Sequence, residues 1–245
     1  MLIINMFNAN PNFNMKTKTI GIIGGMGPEG TADLYMKIVR YCQKNFGAKY
    51  DNDFPPIIIY SAPIPDVVES LENEKITLSM LSEAAKTLED DGCDFLVIAC
   101  NTVQFLLEDI RKSVKIPIIG IAEVNANYAK KEGYKKVGIL GTEVTVNKVY
   151  DQELQEIGIK LVKPTNEDQK KLTQVIMAQL AGKATKKEKE KLKEVIKNLN
   201  TRGAEAILIA CTDLPPVIKQ EDVDIHLIDC TQIYADETAK ISFKN

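Results

Sequence analysis

The sequence is poor in residues on which several common chemistries depend. Its 245 residues hold one histidine, His226. That excludes a histidine-rich metal site, and it excludes a Cys/His catalytic pair unless His226 itself stands beside the thiol. No Cys-x-x-Cys pair occurs, and the cysteines, Cys42, Cys93, Cys100, Cys211 and Cys230, are odd in number. A disulfide framework is not expected; the thiols should be reduced, as in the cytoplasm. No apolar run is long enough to cross a bilayer, so no membrane partner is expected. The opening Met1-Leu2-Ile3-Ile4-Asn5 lacks a basic n-region and a cleavage site and does not read as a signal peptide. Acidic residues exceed basic ones only slightly: the net charge is −3, which gives no reason to expect a nucleic-acid partner.

What remains is an ordinary soluble composition, 44% hydrophobic and 27% charged. The length suits one large domain or two small ones sharing a cleft. Short apolar runs alternate with longer amphipathic stretches. Thr19–Ile23, Pro56–Tyr60, Phe95–Ala99 and Ile116–Ile119 are followed by Val137–Leu140, Ile159–Val162, Ala206–Ala210 and Ile225–Ile228. Continuous Ile/Val runs suit strands buried on both faces of a parallel sheet. Helix-period patterns, such as Ile76 to Leu88 and Val146 to Ile157, lie between them, so an α/β fold is expected. Gly182 to Asn200, rich in Lys and Glu, reads as a solvated helix with ion pairs one turn apart.

The chain also repeats itself. Lys18-Thr19-Ile20-Gly21-Ile22-Ile23-Gly24 matches Lys135-Lys136-Val137-Gly138-Ile139-Leu140-Gly141, and Gly92 to Cys100 matches Gly203 to Cys211. The strands that follow, Ile116–Ile119 and Ile225–Ile228, match as well. This predicts two pseudo-symmetric three-layer α/β lobes with mainly parallel sheets and the site in the cleft between them. The expected division is an N-terminal extension over 1–15, a first lobe over 16–125 and a second over 126–245, with the final segment crossing back to the first.

In open α/β sheets, ligands sit beyond the carboxyl ends of the strands. Cys100 and Cys211 fall there, at matched repeat positions, each followed by small polar residues: Asn101-Thr102 and Thr212-Asp213. If the lobes face each other, the two thiols flank one ligand. Such a pair suits inversion of a stereocentre beside a carboxylate: a thiolate takes the proton from one face and a thiol returns one to the other. A single such cysteine would read as core packing, as Cys42 does. Two at equivalent strand ends read as chemistry. Cys93 reads as a loop or strand-entry residue, and His226, in mid-strand, as a packed core residue.

Gly25-Met26-Gly27-Pro28-Glu29-Gly30 fits the dinucleotide pattern of glycines, but no acidic residue ends the next strand, Ile57-Ile58-Ile59-Tyr60-Ser61. With Pro28 as the first helical residue, the loop reads better as a cradle for a small anion such as a carboxylate. Thr142 and Thr145 after the fifth strand serve equally as ligand contacts or as helix caps.

At these residues the sequence resembles the aspartate/glutamate racemase family, which includes hydantoin racemases. The matching pieces are Gly21-Ile22-Ile23-Gly24-Gly25-Met26-Gly27-Pro28-Glu29, Ala99-Cys100-Asn101-Thr102, Gly138-Ile139-Leu140-Gly141-Thr142 and Ala210-Cys211-Thr212-Asp213-Leu214. The resemblance implies a cofactor-free amino-acid racemase, usually dimeric, with no metal and a small amino acid or carboxylate as its ligand. It implies Cys100 and Cys211 as the acid/base pair and Met26, Gly27, Asn101, Thr102, Thr142, Thr212 and Asp213 around the substrate. Two departures stand out. Where relatives acting on acidic substrates often carry Pro-Asp-Arg, this chain has Pro65-Asp66-Val67, leaving a lysine such as Lys183 as a substitute cation. Asp213 also stands where Glu is usual. A decarboxylase or a cis–trans isomerase of small diacids, and a small-molecule-binding protein without turnover, are the alternatives.

Overall fold

The computed structural model describes residues 17–68 and 72–244; the 1–15 extension lies outside them. The chain forms two four-stranded, wholly parallel sheets. The first is built from β1 (Ile20–Gly24), β2 (Ile57–Ser61), β3 (Phe95–Ile98) and β4 (Ile118–Ile119), in the order β2-β1-β3-β4. The second is built from β5 (Lys136–Leu140), β6 (Lys160–Val162), β7 (Ala206–Ile209) and β8 (His226–Asp229), in the order β6-β5-β7-β8. The two orders are the same order. Each of the apolar runs picked out above supplies a strand. The central strands β1, β3 and β7 are buried throughout, which is why they carry apolar residues on consecutive positions rather than alternate ones.

Helices cover both faces of each sheet. On the first, α2 (Glu74–Asp90) and α3 (Leu107–Arg111) lay Leu81, Ala84, Leu88 and Ile110 against Ile23, Leu96 and Ile98. The opposite face receives Leu34 and Ile38 of α1 (Pro28–Tyr41). On the second sheet, α6 (Asn166–Leu180) and α7 (Lys186–Thr201) cover one face and α5 (Tyr150–Glu156) the other. Burying a Leu or Ile side chain contributes about 1.5–3 kcal/mol before entropy is counted, so these stripes hold the layers together. The α7 segment is the helix expected, with Lys191–Glu188 and Lys193–Glu190 ion pairs one turn apart, and it also carries a buried stripe of Leu192, Val195, Ile196 and Leu199. Its Lys and Glu residues occupy only the outer face, and the stripe is diluted in composition by that face.

The two remaining helices tie the sheets together. α4 (Ile121–Lys131) follows β4 but sets Ala122, Ala126 and Ala129 against Val137 and Ile139 of the second sheet. α8 (Cys230–Ser242) follows β8 but packs Tyr234, Ala235 and Ala239 against Ile20, Ile22 and Val97 of the first. Tyr234 donates its hydroxyl to the Ile119 carbonyl at 2.6 Å and accepts the Ile98 N–H at 3.1 Å, bridging β3 and β4. The 125/126 division expected from the repeat therefore falls inside α4. His226 is also not a core residue. It opens the edge strand β8, is exposed, and its Nδ1 lies 2.6 Å from the Tyr134 hydroxyl.

Candidate active site at the ends of the two sheets

The parallel order aims the carboxyl ends of the central strands of each sheet at one cavity of about 160 Å³. Cys100, two residues beyond β3, and Cys211, two residues beyond β7, both line it. Each thiol is almost wholly withdrawn from solvent, at 7% exposure. Met26, Gly27, Asn101, Thr102, Thr142, Thr212 and Asp213 line the same cavity, whereas Thr145 and Lys183 do not.

The glycine-rich loop reaches the cavity because its backbone folds tightly around Thr31. The Thr31 hydroxyl accepts the Gly25 N–H at 2.9 Å and donates to the Gly27 carbonyl at 3.0 Å. Gly25 has φ +97°, and a Cβ there would stand 2.4 Å from the Ala62 carbonyl oxygen, so only glycine fits. Pro28 is the first residue of α1, as the sequence predicts. Gly30, in the first turn, packs directly under Thr212 of the other sheet; a Cβ would approach Thr212 Oγ1 to 2.6 Å.

Hydroxyls and amides join the strand ends across the cleft. Thr102 Oγ1 lies 3.1 Å from Thr142 Oγ1 and 3.3 Å from Thr145 Oγ1, and the latter two are 2.9 Å apart. Thr145 thus belongs to a buried hydroxyl cluster behind Thr142 rather than to the cavity wall. Asn101 accepts the Tyr150 hydroxyl proton on Oδ1 at 2.8 Å, while its buried Nδ2 has no partner. Gln104 accepts the Ile121 N–H and reaches the Cys100 carbonyl at 3.4 Å, fastening the turn after β3 to the start of α4.

The electrostatics set the two thiols apart. Burial pushes Cys100 above its ordinary value, opposed by the backbone N–H groups of Val103 and Thr102 and by the Thr102 hydroxyl. Burial pushes Cys211 well above its ordinary value, and the Asp213 carboxylate and the facing Cys100 add to the rise. The Cys211 thiol donates to Asp213 Oδ2 at 3.6 Å. Burial also raises the Asp213 carboxyl; that hydrogen bond draws it back and the charge of Glu29 raises it further.

The rest of the wall was not foreseen in the sequence. Ile64, Pro65 and Val68 come from the segment after β2, and Leu180 from the end of α6. Val67 is on the wall and buried. Lys183 is exposed and not part of it; the residue of this segment on the wall is Leu180. The segment after β2 has no periodicity to betray which side faces inward, and Leu180 belongs to a repeat half whose counterpart offers no guide. Among the described residues, no group of three or more His, Cys, Asp or Glu is placed to hold a metal ion, and no helix is long and apolar enough to cross a membrane.

Fold and site together define a two-lobed α/β protein with one buried thiol at the end of each sheet, facing a shared cleft. Comparison with known proteins narrows the class. Residues 23–238 match the family model described as Asp/Glu/Hydantoin racemase. The chain is 30% identical over 221 residues to the broad specificity amino-acid racemase RacX of Bacillus subtilis, spanning 89% of this chain and 96% of that protein. It superposes on an aspartate racemase homologue of Pyrococcus horikoshii with a TM-score of 0.79 and 31% identity, over 93% of this chain and 100% of the other. For the aspartate racemase of Picrophilus torridus the values are 0.76 and 28%, over 91% and 94%. The chain belongs to the Asp/Glu/hydantoin racemase family.

Proposed function

We propose that this protein racemises a small amino acid by moving a proton on and off Cα between Cys100 and Cys211, without a cofactor. The observation that carries the reading is the placing of one buried thiol from each lobe on a single cavity. Inversion requires removal of the Cα proton from one face and its return to the other, and two thiols with interchangeable protonation states perform both steps.

Cys100 is the thiol opposed by N–H groups and a hydroxyl, so it carries the thiolate that attacks first; Cys211, raised further and bonded to Asp213, is the donor. The thiolate sulfur takes the proton, the Cα–H electron pair passes into the adjoining carboxylate as an enediolate, and the Cys211 S–H proton is delivered to the opposite face. The reverse reaction exchanges the roles. Asn101 Nδ2, buried and unpartnered, suits one oxygen of the α-carboxylate, and the hydroxyls of Thr102, Thr142 and Thr212 suit the other. Asp213 suits the α-ammonium as well as the Cys211 proton. The same reading makes the protein a homodimer in the cytoplasm, where its five free thiols stay reduced.

Incubation with L-amino acids in deuterated water, followed by proton NMR, tests it. Loss of the Cα signal that disappears in Cys100→Ser and Cys211→Ser is expected. Exchange that survives in the double variant contradicts the mechanism.

A further inference from the structure

The cavity is chemically two-sided. The thiols, Asn101 and the threonines gather on one side. Met26, Ile64, Pro65, Val67, Val68 and Leu180 make the other side apolar, and among the described residues no lysine, arginine or histidine lines the cavity. The charged side chains on the wall, Asp66 and Asp213, are both acidic, and Glu29 adds to the negative potential at Asp213. Two cations withdrawn from solvent are committed elsewhere: Lys37 to Asp33 and Asp229, and Arg111 to Glu108 and Glu123.

A second carboxylate on a ligand's side chain would enter this cavity at a loss. It would give up its water with no cation in exchange, and it would approach two carboxylates of its own sign. An aliphatic side chain in the same place leaves water for apolar neighbours and gains by it.

We infer that the substrate class of this site is α-amino acids with uncharged aliphatic side chains, of the leucine and methionine kind, and that Val67 and Leu180 set that preference against dicarboxylic amino acids. The inference rests on the two-thiol reading above. The thiol side of the cavity handles the groups every α-amino acid shares. The apolar side grades the remainder: weakly among aliphatic chains, about tenfold per methylene, and strongly against a buried unpaired charge.

The test is the rate of Cα deuterium incorporation by the wild-type protein for L-leucine, L-methionine, L-lysine, L-aspartate and L-glutamate at equal concentration. Leucine and methionine are expected within about tenfold of each other, and aspartate and glutamate at least about 100-fold slower. Aspartate, glutamate or lysine exchanging faster than both aliphatic substrates, with exchange still dependent on Cys211, overturns the inference and leaves the two-thiol reading standing. No exchange with any of the five overturns both. A second arm uses Leu180→Arg. Leu180 is 43% exposed, so the fold tolerates the charge there. The ratio of aspartate to leucine rates is expected to rise about tenfold; a ratio that stays put or falls overturns the role given to Leu180.

Discussion

Tyr150 on α5 holds Asn101 at the end of β3 by a 2.8 Å hydrogen bond from its hydroxyl to Asn101 Oδ1. Tyr150 is fully buried and belongs to the second lobe; Asn101 follows Cys100, the cavity thiol of the first. The bond uses up the amide's acceptor and leaves Nδ2 free for a ligand. Tyr150→Phe should therefore do two separable things. Stability should fall by about 1–3 kcal/mol, because Oδ1 loses its buried donor. KM should rise several-fold with a smaller change in kcat, because the amide loses its fixed orientation. Urea denaturation and steady-state kinetics on the same variant check both, and an unchanged KM would count against a positioning role.

The two thiols should be indispensable for the full reaction and unequal in their chemistry. Replacing either with serine puts a hydroxyl, which ionises far less readily than a thiol, in its place, and a loss of about 10²–10⁴-fold in racemisation is expected for each. Cys42→Ala, at a buried position outside the cavity, should keep the rate within about twofold. Polarimetry or chiral chromatography of product decides it. Comparable losses in all three variants would indicate damage to folding rather than to chemistry.

Because burial raises both cavity thiols, little thiolate should exist in the free enzyme near neutrality. The sign follows directly: a thiol held above its ordinary value of 9.0 stays protonated below that pH and ionises only as the pH climbs past it. Alkylation of Cys100 by iodoacetamide, read peptide by peptide in a mass spectrometer, should be slow at neutral pH and rise about tenfold per pH unit from there to at least pH 9 without levelling off. Cys211 should lag behind Cys100 throughout. A plateau for Cys100 below pH 8 would show an activated thiolate already present in the empty site.

Gly30→Ala probes the seam between the lobes. Alanine is the better helix former, yet its Cβ would lie 2.6 Å from Thr212 Oγ1 and 2.7 Å from Thr212 Cβ. The steric conflict, about 1–3 kcal/mol, outweighs the gain in helix propensity of about 1 kcal/mol. A lower thermal midpoint and a kcat/KM reduced about tenfold are expected, since Thr212 borders the cavity. A Thr212→Ala change made together with Gly30→Ala should recover part of the stability, because it removes the Oγ1 that lies 2.6 Å from the added Cβ.

Much of this architecture could be read from the chain because it occurs twice. The repeat of Lys18–Gly24 in Lys135–Gly141, and of Gly92–Cys100 in Gly203–Cys211, marks equivalent strands, and equivalent strand ends put the thiols in one place. The residues that escaped are those without a counterpart. Ile64, Pro65 and Val68 lie on a segment with no period. Leu180 sits at a helix end, where the charged Lys183 drew attention that the leucine merited. Tyr150 acts from behind Asn101, and its aromatic body reads as core until the hydroxyl's partner is seen. His226 looked internal because its neighbours are apolar, but β8 is an edge strand and its first residue stands at the rim.

The exchange of helices, α4 onto the second sheet and α8 onto the first, has a consequence for how the chain can be cut and rejoined. The Lys18 N–H donates to the Ser242 carbonyl at 2.8 Å, so the two ends of the described fold already touch. A chain joined there by a short linker and reopened at the exposed turn around Gly133 would keep every sheet and both crossing helices. A chain split at the same turn and supplied as one fragment would not, since each half carries the helix that the other needs. Circular permutation should be tolerated where dissection is not.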